Sequence, residues 1–163
     1  RFLVTDTGNK RILRFDSGGK FLDKIGRAGF GPGCFDEPVG VAVDPTSGDA
    51  LVADAWNRRI QRFSADLQFK AEWPVPVWRS KASGFKPYLA VSPRGLIAAT
   101  DPENARILVF NAAGQLVCSF GGPGGKRDQL AIPTGLAFDP AGTLLCVADT
   151  GNDRVLEFLL PVE

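Results

Sequence analysis

Apolar residues come in short runs along this chain, and Gly, Asp, Ser or Pro closes each run. Phe2-Leu3-Val4, Ile12-Leu13-Arg14-Phe15 and Phe21-Leu22-Asp23-Lys24-Ile25 are the first three, with Asp16-Ser17-Gly18-Gly19 between the last two. Val41-Ala42-Val43, Leu51-Val52-Ala53, Ile60–Phe63 and Phe69–Trp73 follow in the same manner. Runs of this length and punctuation predict β-strands joined as hairpins. Several strands are apolar at consecutive positions, as in Leu144-Leu145-Cys146-Val147-Ala148. A sheet with one wet face would alternate, so these sheets are covered on both faces. The strand after each polar turn is more mixed. Arg11, Leu13 and Phe15 share one side and Ile12 and Arg14 the other, which suits a position nearer a rim.

The polar residues repeat with the apolar ones. The frame Asp-x-x-Asn-x-Arg-(Ile or Val)-x-x-Phe occurs four times, starting at Asp6, Asp54, Asp101 and Asp149, at steps of 48, 47 and 48 residues. Its Asn residues are Asn9, Asn57, Asn104 and Asn152, and its Arg residues are Arg11, Arg59, Arg106 and Arg154. A fixed period of this size marks a repeat architecture. Each repeat carries four strands, here called a, b, c and d, with the frame in the b–c turn. The chain starts at a strand b and stops after a strand c, giving fourteen strands. Similar four-stranded antiparallel sheets covered on both faces are the blades of a β-propeller, so the fold is all-β.

Composition removes several functions. The net charge is +1 with both signs mixed along the chain, so no basic stripe marks a nucleic-acid face. No apolar run approaches the ~20 residues of a membrane span, and a membrane would be met only through a segment of the parent protein outside this sequence. The chain opens with Arg1 inside a repeat, so a targeting segment can lie upstream. There is no histidine, which removes His-based zinc sites and catalytic triads from this segment. The three cysteines form no Cys-x-x-Cys pair; Cys118 and Cys146 read as small buried hydrophobes and Cys34 as a loop residue.

The repeated Asp, Asn and Arg do the same job in every blade, and one active site does not need four copies. They read as structural: an Asp closing the turn, accepting backbone N–H groups and pairing with the Arg five residues on. The third frame position holds Gly8, Trp56, Glu103 and Gly151, so it does not demand positive φ. The Gly-rich stretch Gly26–Phe35 leads into no helical pattern and is not a phosphate cradle. Strand order places the b–c turns and d–a connections on one face, which gathers Trp56, Arg58, Lys10 and Asp153 there. The segment Trp73–Tyr88 replaces the Gly-rich loop and carries Trp78, Arg79, Lys81, Lys86 and Tyr88. Two readings stand for it: Trp73 and Trp78 fill the gap between two blades, or the aromatics and bases form a platform for a sugar, peptide or nucleobase. Trp56, Arg58, Trp78, Lys86 and Tyr88 are the candidate ligand residues. No pair of carboxylates is placed by a motif, so the segment is expected to be non-catalytic, with no cofactor and no metal.

The stretch Gly31–Pro45, Gly-Pro-Gly-x-Phe-x-x-Pro-x-Gly-Val-Ala-Val-Asp-Pro, together with the four Asp-x-x-Asn-x-Arg frames, resembles the NHL-repeat family of β-propellers over essentially the whole chain. The third repeat departs from the pattern, with no Gly-rich run and Tyr88 where the others have Val39 and Thr134. The resemblance implies blades at 1–26 (partial), 27–75, 76–122 and 123–163 (partial). A six-bladed ring, usual for such a family, has 24 strands, so about ten strands or roughly 120 residues would lie upstream or come from partner chains. NHL domains are commonly interaction platforms, which implies a non-catalytic module binding a protein or glycan, with nucleic acid disfavoured by charge. Similar repeats in bacterial envelope proteins imply an extracytoplasmic location. Propellers related in shape are lactonases with calcium or lyases with a His-bound zinc, and a calcium-dependent enzyme such as a lactonase or hydrolase is the alternative reading.

Overall fold

The computed structural model describes residues 1–160, so the last three residues of the fourth predicted blade lie outside the described residues. Fourteen strands are found among them: β1 (Phe2–Asp6), β2 (Arg11–Phe15), β3 (Phe21–Ile25), β4 (Pro38–Val43), β5 (Ala50–Asp54), β6 (Arg59–Phe63), β7 (Phe69–Pro74), β8 (Leu89–Val91), β9 (Ile97–Asp101), β10 (Arg106–Phe110), β11 (Leu116–Gly121), β12 (Pro133–Phe138), β13 (Leu144–Asp149) and β14 (Arg154–Leu159). They form four antiparallel sheets in chain order: β1–β3, β4–β7, β8–β11 and β12–β14. Each frame lies between two paired strands, with its Asp directly opposite its Arg in the register, as in Asp54–Arg59 and Asp149–Arg154.

The sheets stack face to face along their inner strands, β1 beside β4, β4 beside β8 and β8 beside β12. Gly40 of β4 shows how close they come. A Cβ there would sit 2.8 Å from the Pro87 carbonyl oxygen and 3.0 Å from Tyr88 Cα, so only glycine admits that approach. Three apolar layers result. Ile12, Phe35, Ala50, Val52 and Phe63 fill the first gap. Leu51, Ile60, Trp73, Trp78, Ile97 and Phe110 fill the second. Ala98, Ile107, Val109, Leu130, Leu145 and Val147 fill the third. Strands β5 and β9 are buried at every position because both of their faces are covered, as their unbroken apolar runs require. On the outermost faces of the first and fourth sheets no further sheet is packed among the described residues, and Phe2, Val155 and Leu159 are 55%, 68% and 82% exposed.

The cysteines depart from expectation. Cys34, on the loop, is the buried one, because the loop folds under its own β-bridge between Ala28 and Phe35. Cys118 and Cys146, on strands, are only half-buried.

Candidate functional site

The polar frame is a clamp. At the end of β5, fully buried Asp54 accepts the N–H groups of Asp36 (2.9 Å) and Glu37 (3.3 Å) on one oxygen. Its other oxygen accepts Asn57 Nδ2 at 2.8 Å, Arg59 Nε at 3.0 Å and Gln61 Nε2 at 3.3 Å. Arg59 continues outward and donates to the carbonyls of Phe30, Gly31 and Cys34 at 2.6, 3.1 and 2.8 Å and to Glu72 at 2.8 Å. A buried carboxylate is thereby paired and saturated, and the Gly-rich loop is tied to the b–c turn. The fourth sheet repeats this: Arg154 joins Asp149 at 2.8 Å and the carbonyls of Gly125, Lys126 and Gln129 at 2.8, 2.7 and 2.8 Å. In the first and third sheets Arg11 and Arg106 keep the Asp pair, at 2.7 and 2.8 Å, and reach no loop carbonyl among the described residues.

These bonds set the carboxylate chemistry. Asn9, then Arg11, hold Asp6 below its ordinary value of 3.8. Burial pushes the Asp149 carboxyl up, but the Ala131 N–H, Asn152 and Arg154 together outweigh it, and the group also rests below 3.8. In all four frames the Asp is bonded to its own Asn and Arg. The left-handed residue of each turn is Lys10, Arg58, Ala105 or Asp153, at φ of 51–56°, so the third frame position indeed needs no positive φ.

What differs between blades is the side chain at equivalent places. The third frame position carries Gly, Trp56, Glu103 and Gly; the residue before the inner-strand proline is Glu37, Lys86 or Ile132. The large and charged choices meet in one spot. Lys10, Lys81 and Lys86 place their ammonium groups 5.1, 5.0 and 4.9 Å from the centroid of the Trp56 ring. Glu37, nearly buried, joins Lys86 at 2.5 Å and Lys10 at 3.2 Å. Glu103 accepts the Ser80 N–H at 2.9 Å and so holds the loop that presents Lys81. The Trp56 indole N–H is enclosed and finds no acceptor, so the cationic contacts and packing fix the ring.

Of the candidate ligand residues, Trp56 and Lys86 are in direct contact here. Arg58 is exposed on the same turn as Trp56. Tyr88 is 44% exposed, two residues beyond Lys86. Trp78 is not available to a ligand: it is 5% exposed, and its N–H donates to the Thr100 carbonyl at 3.1 Å. With Trp73 it fills the gap between the second and third sheets, the packing alternative for that segment. Sequence reasoning passed over Glu37 and Gln61. Both were visible as exceptions at repeated positions, Glu37 against Lys86 and Ile132, and Gln61 against Leu13, Leu108 and Leu156.

Stacked antiparallel sheets of three or four strands with their frames turned to one face define a β-propeller. The chain belongs to the 6-bladed β-propeller family, whose model matches residues 1–88, and its four frames are NHL-type repeats. It is 31% identical over 158 residues to peptidyl-glycine alpha-amidating monooxygenase A of Xenopus laevis, covering 90% of this chain and 16% of that protein. It is 30% identical to the probable peptidyl-alpha-hydroxyglycine alpha-amidating lyase pgal-1 of Caenorhabditis elegans, covering 90% of this chain and 42% of that one. Human E3 ubiquitin-protein ligase TRIM32 is 30% identical over 138 residues, 75% of this chain and 19% of that protein. Among solved structures, streptogramin B lyase superposes with a TM-score of 0.61 at 18% identity, over 98% of this chain and 51% of that one. The chain thus spans a minor part of the curated relatives named.

The expectation of a non-catalytic protein is corrected by these relatives, several of which are enzymes. The physical reason is plain. A missing histidine speaks only for the 163 residues that lack it, and a propeller's structural repeats carry whatever chemistry its loops supply. As for the calcium alternative, no three acidic or cysteine side chains converge to hold a metal among the described residues. The lysines around Trp56 would also repel a cation there.

Proposed function

We propose that this chain supplies the recognition face of a six-bladed propeller and that the face binds a polypeptide, with Trp56 at its centre. One observation carries the reading. At a position where the first and fourth blades have glycine, the second has a tryptophan ringed by lysines from the first blade and from the loop into the third. Packing of the fold does not call for that arrangement, since glycine serves in the same turn twice. Aromatic and cationic groups on a rigid scaffold are the anchors from which protein interfaces are built. Two relatives are named for acting on peptidyl substrates and a third for joining ubiquitin to protein, which supports a polypeptide over a glycan as the ligand. The reading concerns the face and holds whatever reaction the whole protein performs.

A displayed peptide library selected on the chain, then counter-screened on Trp56→Ala, tests it. Enriched peptides should bind Trp56→Ala at least about tenfold more weakly, the loss expected for a central aromatic anchor. Peptides that bind both proteins equally would remove Trp56 from the site and sink the proposal.

A further inference from the structure

Building on the polypeptide reading above, we infer that the Trp56 cluster takes an acidic segment of its partner, a carboxylate seated among Lys10, Lys81 and Lys86. Three ammonium groups stand about one ring at nearly equal distances. Like charges held so close repel, and the arrangement needs counter-charge. Glu37 supplies it to Lys86 and Lys10, at 2.5 and 3.2 Å, and Asp36 adds a looser contact to Lys10 at 4.0 Å. Lys81 has no ion pair or hydrogen bond among the described residues; its partner is the ring alone. Its backbone is nevertheless placed, because the preceding Ser80 N–H is held by Glu103. Of the three lysines, Lys81 alone lacks a carboxylate partner among the described residues. Arg58, exposed in the same turn and held in the left-handed region at φ 53°, lines a neighbouring hollow with Glu72 and Trp73.

A carboxylate fits better than a nucleic-acid backbone. Phosphate tracking uses a stripe of bases with a row of stacking rings. Here the positive charge is confined to one ring, acids Asp36, Glu37 and Glu103 lie within or beside it, and the whole chain is only +1. Such a mosaic repels a polyanion of uniform charge and accepts a single acidic side chain through charge-assisted hydrogen bonds from the ammonium groups. The ring edge then offers apolar contact to the residues flanking the acid, since the ammonium groups claim its electron-rich face.

The test titrates a short Asp- and Glu-rich peptide, its Asn and Gln counterpart, and a single-stranded oligonucleotide into the full chain, read by calorimetry and tryptophan fluorescence. The acidic peptide should bind and the amide counterpart should not. Lys81→Ala, which leaves Lys10 and Lys86 on the Trp56 ring, should weaken binding about tenfold, as loss of a charge-assisted bond does. Raised salt should weaken it further. Preference for the amide peptide, indifference to Lys81→Ala, or tighter binding of the oligonucleotide would each overturn the inference. Library peptides that are neutral yet depend on Trp56 would overturn it while leaving the polypeptide reading standing. Absence of any Trp56-dependent peptide would end both.

Discussion

The second and third blades carry the same frame and use its arginine differently. Arg59 leaves 9% of its side chain exposed and binds one carboxylate deep, one at the rim and three loop carbonyls. Arg106 leaves 33% exposed and holds Asp101 alone. The difference lies in the loop that each frame meets. Where the Gly-rich loop is present, its carbonyls lie within reach of the frame, and the arginine donates to them. Where residues 75–88 replace it, Trp78 fills the volume, the Thr100 carbonyl accepts its indole N–H, and Glu103 rather than arginine secures the loop. The frame is therefore a socket with an exchangeable insert, and exchanging the insert is what brings Lys81 and Lys86 to Trp56.

Breaking the socket should cost most where it is fullest. Arg59→Ala removes the cation paired with buried Asp54 and one donor from each of three loop carbonyls, and should destabilise by about 3–5 kcal/mol. Arg106→Ala leaves Asp101 with Asn104 at 3.0 Å from both oxygens, so about 1–2 kcal/mol is expected. Equal losses in urea unfolding would erase the distinction between the two blades. Trp78→Ala empties the gap that the insert fills and should cost about 3 kcal/mol, measured in the same way. A loss under about 1 kcal/mol would show that Trp78 does not hold the third blade in place.

Gln61 sharpens the comparison at smaller scale. It takes the Gly33 N–H at 2.9 Å and donates to the Cys34 carbonyl at 2.8 Å, while the third blade has Leu108 at that place. Gln61→Leu should cost about 1–2 kcal/mol and raise hydrogen exchange at Gly33. Unchanged exchange there would mean that Gln61 does not tie the loop.

The smallest effect is in pH. Asp6 and Asp149 have folded-state values below 3.8, so the unfolded chain binds their protons first on acidification. Their contribution is complete above 3.8 and is lost as pH falls below it through the depressed values. The thermal midpoint should drop across that acid window and stay level above it. Asp149→Asn should flatten part of the drop; a drop centred near neutrality would assign it to other groups.

Much of the fold was legible because it repeats. Four in-phase frames fix where turns fall, and unbroken apolar runs such as Leu51-Val52-Ala53 announce strands covered on both faces. The burial of Trp73 and Trp78 was open as an alternative for the same reason, since a missing loop leaves a gap to fill. The Asp–Arg pair of the clamp was legible, but the reach of its arginine to the loop was not. Arg59 bonds to residues 25–29 positions earlier, and no local pattern shows that carbonyls there come within its reach. Cys34 was placed by chemistry of the loop, which buries a thiol under its own bridge. Glu37 and Lys81 carry no motif. They matter because stacking brings three blades to one ring.

The central claim is that the repeated polar frame builds the fold while the exceptions at repeated positions bind. The direct measurement sets unfolding stability beside peptide affinity for Trp56→Ala and Arg59→Ala. Trp56→Ala should keep its stability to within about 1 kcal/mol, because glycine fills that position in two other blades, and should lose binding. Arg59→Ala should lose stability, while its folded fraction keeps the affinity of the parent chain. A stable Arg59→Ala protein that no longer binds, or a Trp56→Ala protein that unfolds, would contradict the account.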